Sequence, residues 1–97
     1  MRFEWDPEKA RSNLEKHGIS FGKGIELFST GVEYLEIYDE RHSEIEDRFI
    51  AIGPLWGRII VMVYSELSED TIRVISVRRA TRREARLYRE HMKGGPR

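Results

Sequence analysis

Cysteine is absent from this 97-residue chain, which excludes disulfides and thiolate metal sites and permits a reducing compartment. Long apolar runs are missing too: the longest, Ile59 to Tyr64, falls far short of the roughly 20 residues that a membrane-crossing helix needs. The opening MRFEWDPEK lacks an apolar signal-peptide core, so the expectation is a soluble cytoplasmic protein with no membrane partner. The only three histidines, His17, His42 and His91, are widely separated and outside any HExxH or Cys/His cluster, and no P-loop or glycine-rich nucleotide fingerprint occurs. No metal and no cofactor is therefore expected, although a magnesium site built from carboxylates alone would leave no such signature.

An overall charge of either sign is also lacking, with 17 basic and 17 acidic residues. The distribution is uneven: residues 1–50 carry 7 Lys/Arg against 12 Asp/Glu, and residues 51–97 carry 10 against 5. Local potential rather than net charge steers a ligand, so a neutral chain with separated charge can still present one face to a polyanion. At this length one domain is expected, spanning residues 1–93, with 94–97 (GGPR) as a loose tail.

What is abundant is arginine near the C-terminus. VRRATRREARLYRE, residues 77–90, holds Arg78, Arg79, Arg82, Arg83, Arg86 and Arg89, and Thr81 followed by Glu84 forms a capping box that predicts a helix start. The preceding TIRVISV is β-branched and reads as a strand, so Arg78 and Arg79 should emerge at a strand-to-helix corner suited to phosphate. The bland alternative is a solvated charged helix.

Earlier in the chain, Arg2 to Trp5 suits a short strand, and Asp6-Pro7-Glu8 opens a helix expected to run from Pro7 to His17 and to stop at Gly18. Ala10, Leu14 and His17 recur at helical spacing on its apolar side. Phe21, Ile25 and Phe28 predict a second short helix to Ser29, and Glu33 to Tyr38 alternates with Leu35 and Ile37 on one face. DERHSEIED should turn into a strand near Ile45; GPLWGR between Phe49–Ile52 and Ile59–Tyr64 reads as a hairpin turn, as does Ser65 to Asp70 before a last strand from Thr71 to Val77. Ala85, Tyr88 and Met92 give the final helix its apolar side. The order predicts an α+β domain with a mostly antiparallel sheet, its helices covering one face well and leaving the other open.

FEWDPEKARSNLEKHGISF, HSEIEDRFIAIG followed by GRIIVMVY, and RVISVRRATRREARLYRE together resemble the BrnT family of bacterial toxins over nearly the whole chain. The resemblance implies a RelE-like fold and a ribonuclease of a type II toxin-antitoxin module. It implies RNA as substrate, a BrnA-type antitoxin as partner, and operator DNA contacted indirectly through that antitoxin.

RNA cleavage without a metal needs a base for the 2′-hydroxyl, cations for the phosphorane-like charge and an acid for the leaving oxygen. An unperturbed imidazole titrates near neutrality, which makes His42 and His17 the proton-transfer candidates. Glu46 could share or orient that transfer, with Glu44 and Asp47 also close to His42, and Arg79 would stabilise charge. Lys16, Arg48, Arg78 and Arg82 are the expected substrate contacts, Glu46 and Arg48 falling on one face of the predicted strand. Trp5, Tyr34, Tyr38, Trp56 and Tyr64 could stack on unpaired bases, Trp5 being better suited to packing. The rival reading is a non-catalytic interaction module that docks an acidic partner or acts in a repressor complex.

Overall fold

The computed structural model describes residues 1–94, so Gly95 to Arg97 of the expected tail lie outside it. Asp6 accepts from the Glu8 amide at 3.0 Å and Pro7 takes the first helical position, starting α1 (Pro7–His17) where the sequence signals put it. Gly18 ends α1 with φ 73, its amide donating to the Leu14 carbonyl at 2.8 Å. The inner side of α1 differs from the apolar spacing: Leu14 is 47 % exposed, and the buried residue is Asn13. The expected second helix is shorter, α2 (Phe21–Gly24) tightening into a 3-10 turn over Ile25–Phe28.

Five strands form one sheet in the order β1-β5-β4-β3-β2: β1 (Arg2–Glu4), β2 (Leu35–Tyr38), β3 (Asp47–Leu55), β4 (Arg58–Ser68) and β5 (Thr71–Arg79). Only β1 with β5 is parallel; the other pairs are antiparallel. The strands outrun their sequence-predicted spans, and the β3–β4 turn shrinks to Trp56-Gly57, leaving Gly53 to Leu55 in the ladder. Both turn residues have positive φ (53 and 78), as the twist of a two-residue hairpin demands. Gly53 is required by space, since a Cβ there would sit 2.7 Å from the Tyr34 Cβ and 3.0 Å from Leu27 Cδ1.

Alternation assigns the two sheet faces. Ile60, Met62 and Tyr64 of β4, with Ala51 and Leu55 of β3 and Val74 and Val77 of β5, face α1 and α2 and form the main core with Phe21 and Leu27. Tyr34 and Tyr64 belong to this core, Tyr64 in edge contact with Phe28 (5.2 Å between centroids), so neither is available for a base. Tyr64 donates to Glu36, and burial together with that carboxylate pushes its hydroxyl pKa up. Trp5 packs edge-on to Phe21 at 5.9 Å as an anchor, whereas Trp56 is exposed.

The second face is not left open as the element order suggested. The C-terminal helix α3 (Arg82–Lys93) turns back over it, and Tyr88 packs on Ile52 and Val61 while donating to the Glu33 carbonyl at 3.2 Å. Met92, expected on the apolar side, is 42 % exposed. Beside the strip under Tyr88 lies the row Ile37, Ile50, Val63 and Ser76, in register across β2 to β5, and then the row Arg48, Ser65 and Arg73, in which Ser65 is fully buried. No helix among the described residues is long and apolar enough to cross a membrane.

Candidate active site

The loop between β2 and β3 is fixed by backbone and hydroxyl bonds. The Asp39 amide donates to the Arg48 carbonyl at 2.8 Å, Ser43 Oγ donates to the Asp39 carbonyl at 2.6 Å, and the Arg48 amide donates to Ser43 Oγ at 2.9 Å. This frame holds a short 3-10 turn, Glu40–His42, against the start of β3, which begins at Asp47 rather than near Ile45. His42 Nδ1 lies 2.8 Å from Asp39 Oδ2. A carboxylate can only accept, so Nδ1 is the donor and Nε2 is left for other work. Sequence proximity had put Glu44, Glu46 and Asp47 forward as orienting groups; the carboxylate in place is Asp39.

His42, Glu46 and Arg48 line one recess of ≈ 420 Å³, together with Arg41, Glu44, Ile45 and Arg73. Glu46 does not pair with Arg48 as their spacing suggested. Its carboxylate meets Arg73 of β5 at 3.3 Å, and Arg73 also reaches Glu4 at 3.4 Å. Arg48, Ser65 and Arg73 stand side by side across three strands. Arg48 Nε and Ser65 Oγ are both buried and have no partner among the described residues. A buried donor left unpaired carries a cost of roughly 1–3 kcal/mol. Arg73 escaped the sequence reading because it sits in a β-branched strand; strict alternation against Ile72 and Val74 marks it as facing the other way.

The remaining expected residues lie elsewhere. Lys16 and His17 line a smaller recess of ≈ 220 Å³ with Lys9, Ser12, Asn13, Ile75 and Ser76. Arg78 and Arg79, adjacent in a strand, diverge instead of converging. Arg78 is spent on structure: its guanidinium makes a two-pronged bond to Glu84 (2.7 and 2.8 Å), and Glu84 also accepts from the Thr81 amide at 2.9 Å. That guanidinium, with the Thr81 bonds, holds the Glu84 carboxyl down at about 2. Arg79 and Arg82 line a third recess of ≈ 490 Å³ with Arg86, Arg89, Ile59, Ala80, Thr81 and Ala85. The residues expected at one phosphate-binding corner are therefore divided between a lock and a groove.

Chemically, the 420 Å³ recess offers a carboxylate-oriented imidazole, a second carboxylate and two guanidinium groups. That set can move a proton and stabilise an anion. Among the described residues, no group of three or more His, Cys, Asp or Glu is arranged to hold a metal.

A family model described as the ribonuclease toxin, BrnT, of type II toxin-antitoxin systems matches residues 5–84, a span that includes His42, Glu46, Arg48 and Arg73. Among solved structures, the crystal structure of the Brucella abortus ribonuclease toxin BrnT is similar, at 27 % identity and a TM-score of 0.64. The match covers 84 % of this chain and 99 % of that one. No curated protein sequence matches.

Proposed function

Because the chain belongs to the BrnT family of ribonuclease toxins of type II toxin-antitoxin systems, we propose that it cuts RNA at the His42 recess by metal-independent acid-base catalysis. The observation that carries this is the convergence of His42, Glu46, Arg48 and Arg73 on one recess, with Asp39 fixing the imidazole. In the reaction a ribose 2′-hydroxyl attacks the adjacent phosphorus, losing its proton to a base, and the 5′-oxygen leaves with a proton from an acid. His42 and Glu46 divide these two transfers. Arg48 and Arg73, which line the recess, neutralise the charge that grows on the non-bridging oxygens. Lys16 and His17 contact the strand outside this centre, as do Arg79 and Arg82.

The products are a 2′,3′-cyclic phosphate and a 5′-hydroxyl, so mapping of product ends, with and without chelator, tests the proposal directly. RNA left intact by antitoxin-free protein, or activity abolished by chelation, would overturn it.

Family membership carries an antitoxin partner and an RNA target. The finer expectations are a RelE-like fold, action in the cytoplasm, and a BrnA-type antitoxin that links the toxin to operator DNA. The half-exposed row Ile37, Ile50 and Val63 beside the recess supplies an apolar surface through which that antitoxin would dock and cover the cutting centre.

A further inference from the structure

Four guanidinium groups, Arg79, Arg82, Arg86 and Arg89, surround the ≈ 490 Å³ recess beside α3, and none makes an ion pair among the described residues. Ion pairs join Arg73 with Glu4 and Glu46, and Arg78 with Glu84, while Arg2, Arg11, Arg41, Arg48, Arg58 and Arg83 make none among the described residues. What sets these four apart is that they gather around one hollow whose lining holds no acidic residue. Arg82, Arg86 and Arg89 share a helix face at i, i+4 and i+7, stepping about 6 and 4.5 Å along the axis. The floor is small and apolar, Ile59, Ala80 and Ala85, with no aromatic ring to take a base.

We infer that this groove is an exosite for the sugar-phosphate backbone of single-stranded RNA, holding a stretch of substrate that is not being cut. The inference rests on the RNA-cleaving reading and adds to it a second point of attachment. A line of cations without stacking groups or base-edge readers binds phosphate without regard to sequence. Its place sets the geometry. Along β4, Ile59 in the groove and Ser65 in the row with Arg48 are six residues apart, about 20 Å at strand rise. The two points also lie on opposite flanks of α3, since Glu84 and Leu87 face one way and Arg86 and Arg89 the other. A single strand several nucleotides long can touch both, and a dinucleotide cannot. Arg79 and Arg82 fall within the span of the family match, residues 5–84, and Arg86 and Arg89 beyond it.

The test uses the full chain and the variant Arg86→Gln/Arg89→Gln, both positions being solvent-facing on α3. Its affinity for a 2′-O-methyl single strand, which cannot be cut, is measured against salt. Losing two phosphate contacts should weaken binding roughly tenfold and make the log–log salt slope shallower by about 1.4. The penalty on kcat/KM should be larger for a long RNA than for a dinucleotide. An unchanged affinity and slope would overturn the exosite, as would equal penalties on both substrates or a loss confined to duplex DNA. Binding that depends on Arg86 and Arg89 in a protein that never cuts RNA would instead sink the cleavage reading and leave the groove standing.

Discussion

Replacing Glu84 by Gln tests whether Arg78 is a structural lock. The carboxyl sits at about 2 against an ordinary 4.5, which at full strength corresponds to about 3 kcal/mol of stability. Glu84 and Arg78 side chains are 24 % and 33 % exposed, and water screening reduces that figure to about 1–2 kcal/mol. The sign follows from the direction of the shift. A carboxyl held low favours the fold at every pH above its unfolded value near 4.5, and the benefit drains away as pH falls toward 2. Glu84→Gln should therefore lower stability by about 1–2 kcal/mol at pH 7, a Tm loss of roughly 5–10 °C for a domain of this size. By about pH 3 the difference should drop to less than half. Denaturant unfolding across this range gives the comparison, and a cycle with Arg78→Gln should return a coupling of about 1 kcal/mol. Equal destabilisation at both pH values, together with additive single effects, would refute the lock and return Arg78 to the pool of substrate cations.

Further outcomes follow from the same geometry. Asn13→Ala strips three hydrogen bonds, to both backbone atoms of Val77 and to the Ile19 carbonyl, and should cost about 3 kcal/mol with faster hydrogen exchange at the Val77 amide. Gly53→Ala drives a methyl against Tyr34 and Leu27 and should cost about 1–3 kcal/mol by thermal unfolding. His42→Ala should slow RNA cleavage by at least about 100-fold while Tm stays near wild type, because the ring is exposed and, among the described residues, bonded only to Asp39; cleavage at the wild-type rate would remove His42 from the mechanism.

Local signals survived the passage from sequence to fold. The α1 cap at Asp6, its stop at Gly18, the Thr81–Glu84 box and the alternation of Leu35 with Ile37 each depend on residues within one turn or one strand. Strand lengths did not, because β3 and β4 continue pairing through Pro54, Ser65 and Glu66, where hydrophobicity has already lapsed. The proposed cutting centre was half legible. His42, Glu46 and Arg48 come from one segment and meet, but Arg73 arrives from a strand 27 residues beyond Glu46 and carries no local mark. Arg78 misled for a related reason: its spacing to Glu84 crosses a strand-to-helix corner, where no periodic rule pairs side chains.

Asn13 has a consequence beyond its hydrogen bonds. β1 occupies the outer edge of β5 only from Thr71 to Arg73, so the backbone near Val77 would otherwise stand ready to template a foreign strand. The carboxamide offers one donor and one acceptor to that backbone, as an incoming chain would, and blocks recruitment with a side chain from a helix. The sheet's two border strands, β1 from Arg2 to Glu4 and β2 from Leu35 to Tyr38, are only three and four residues long. Copies of the chain are thus offered little sheet edge through which to join strand to strand.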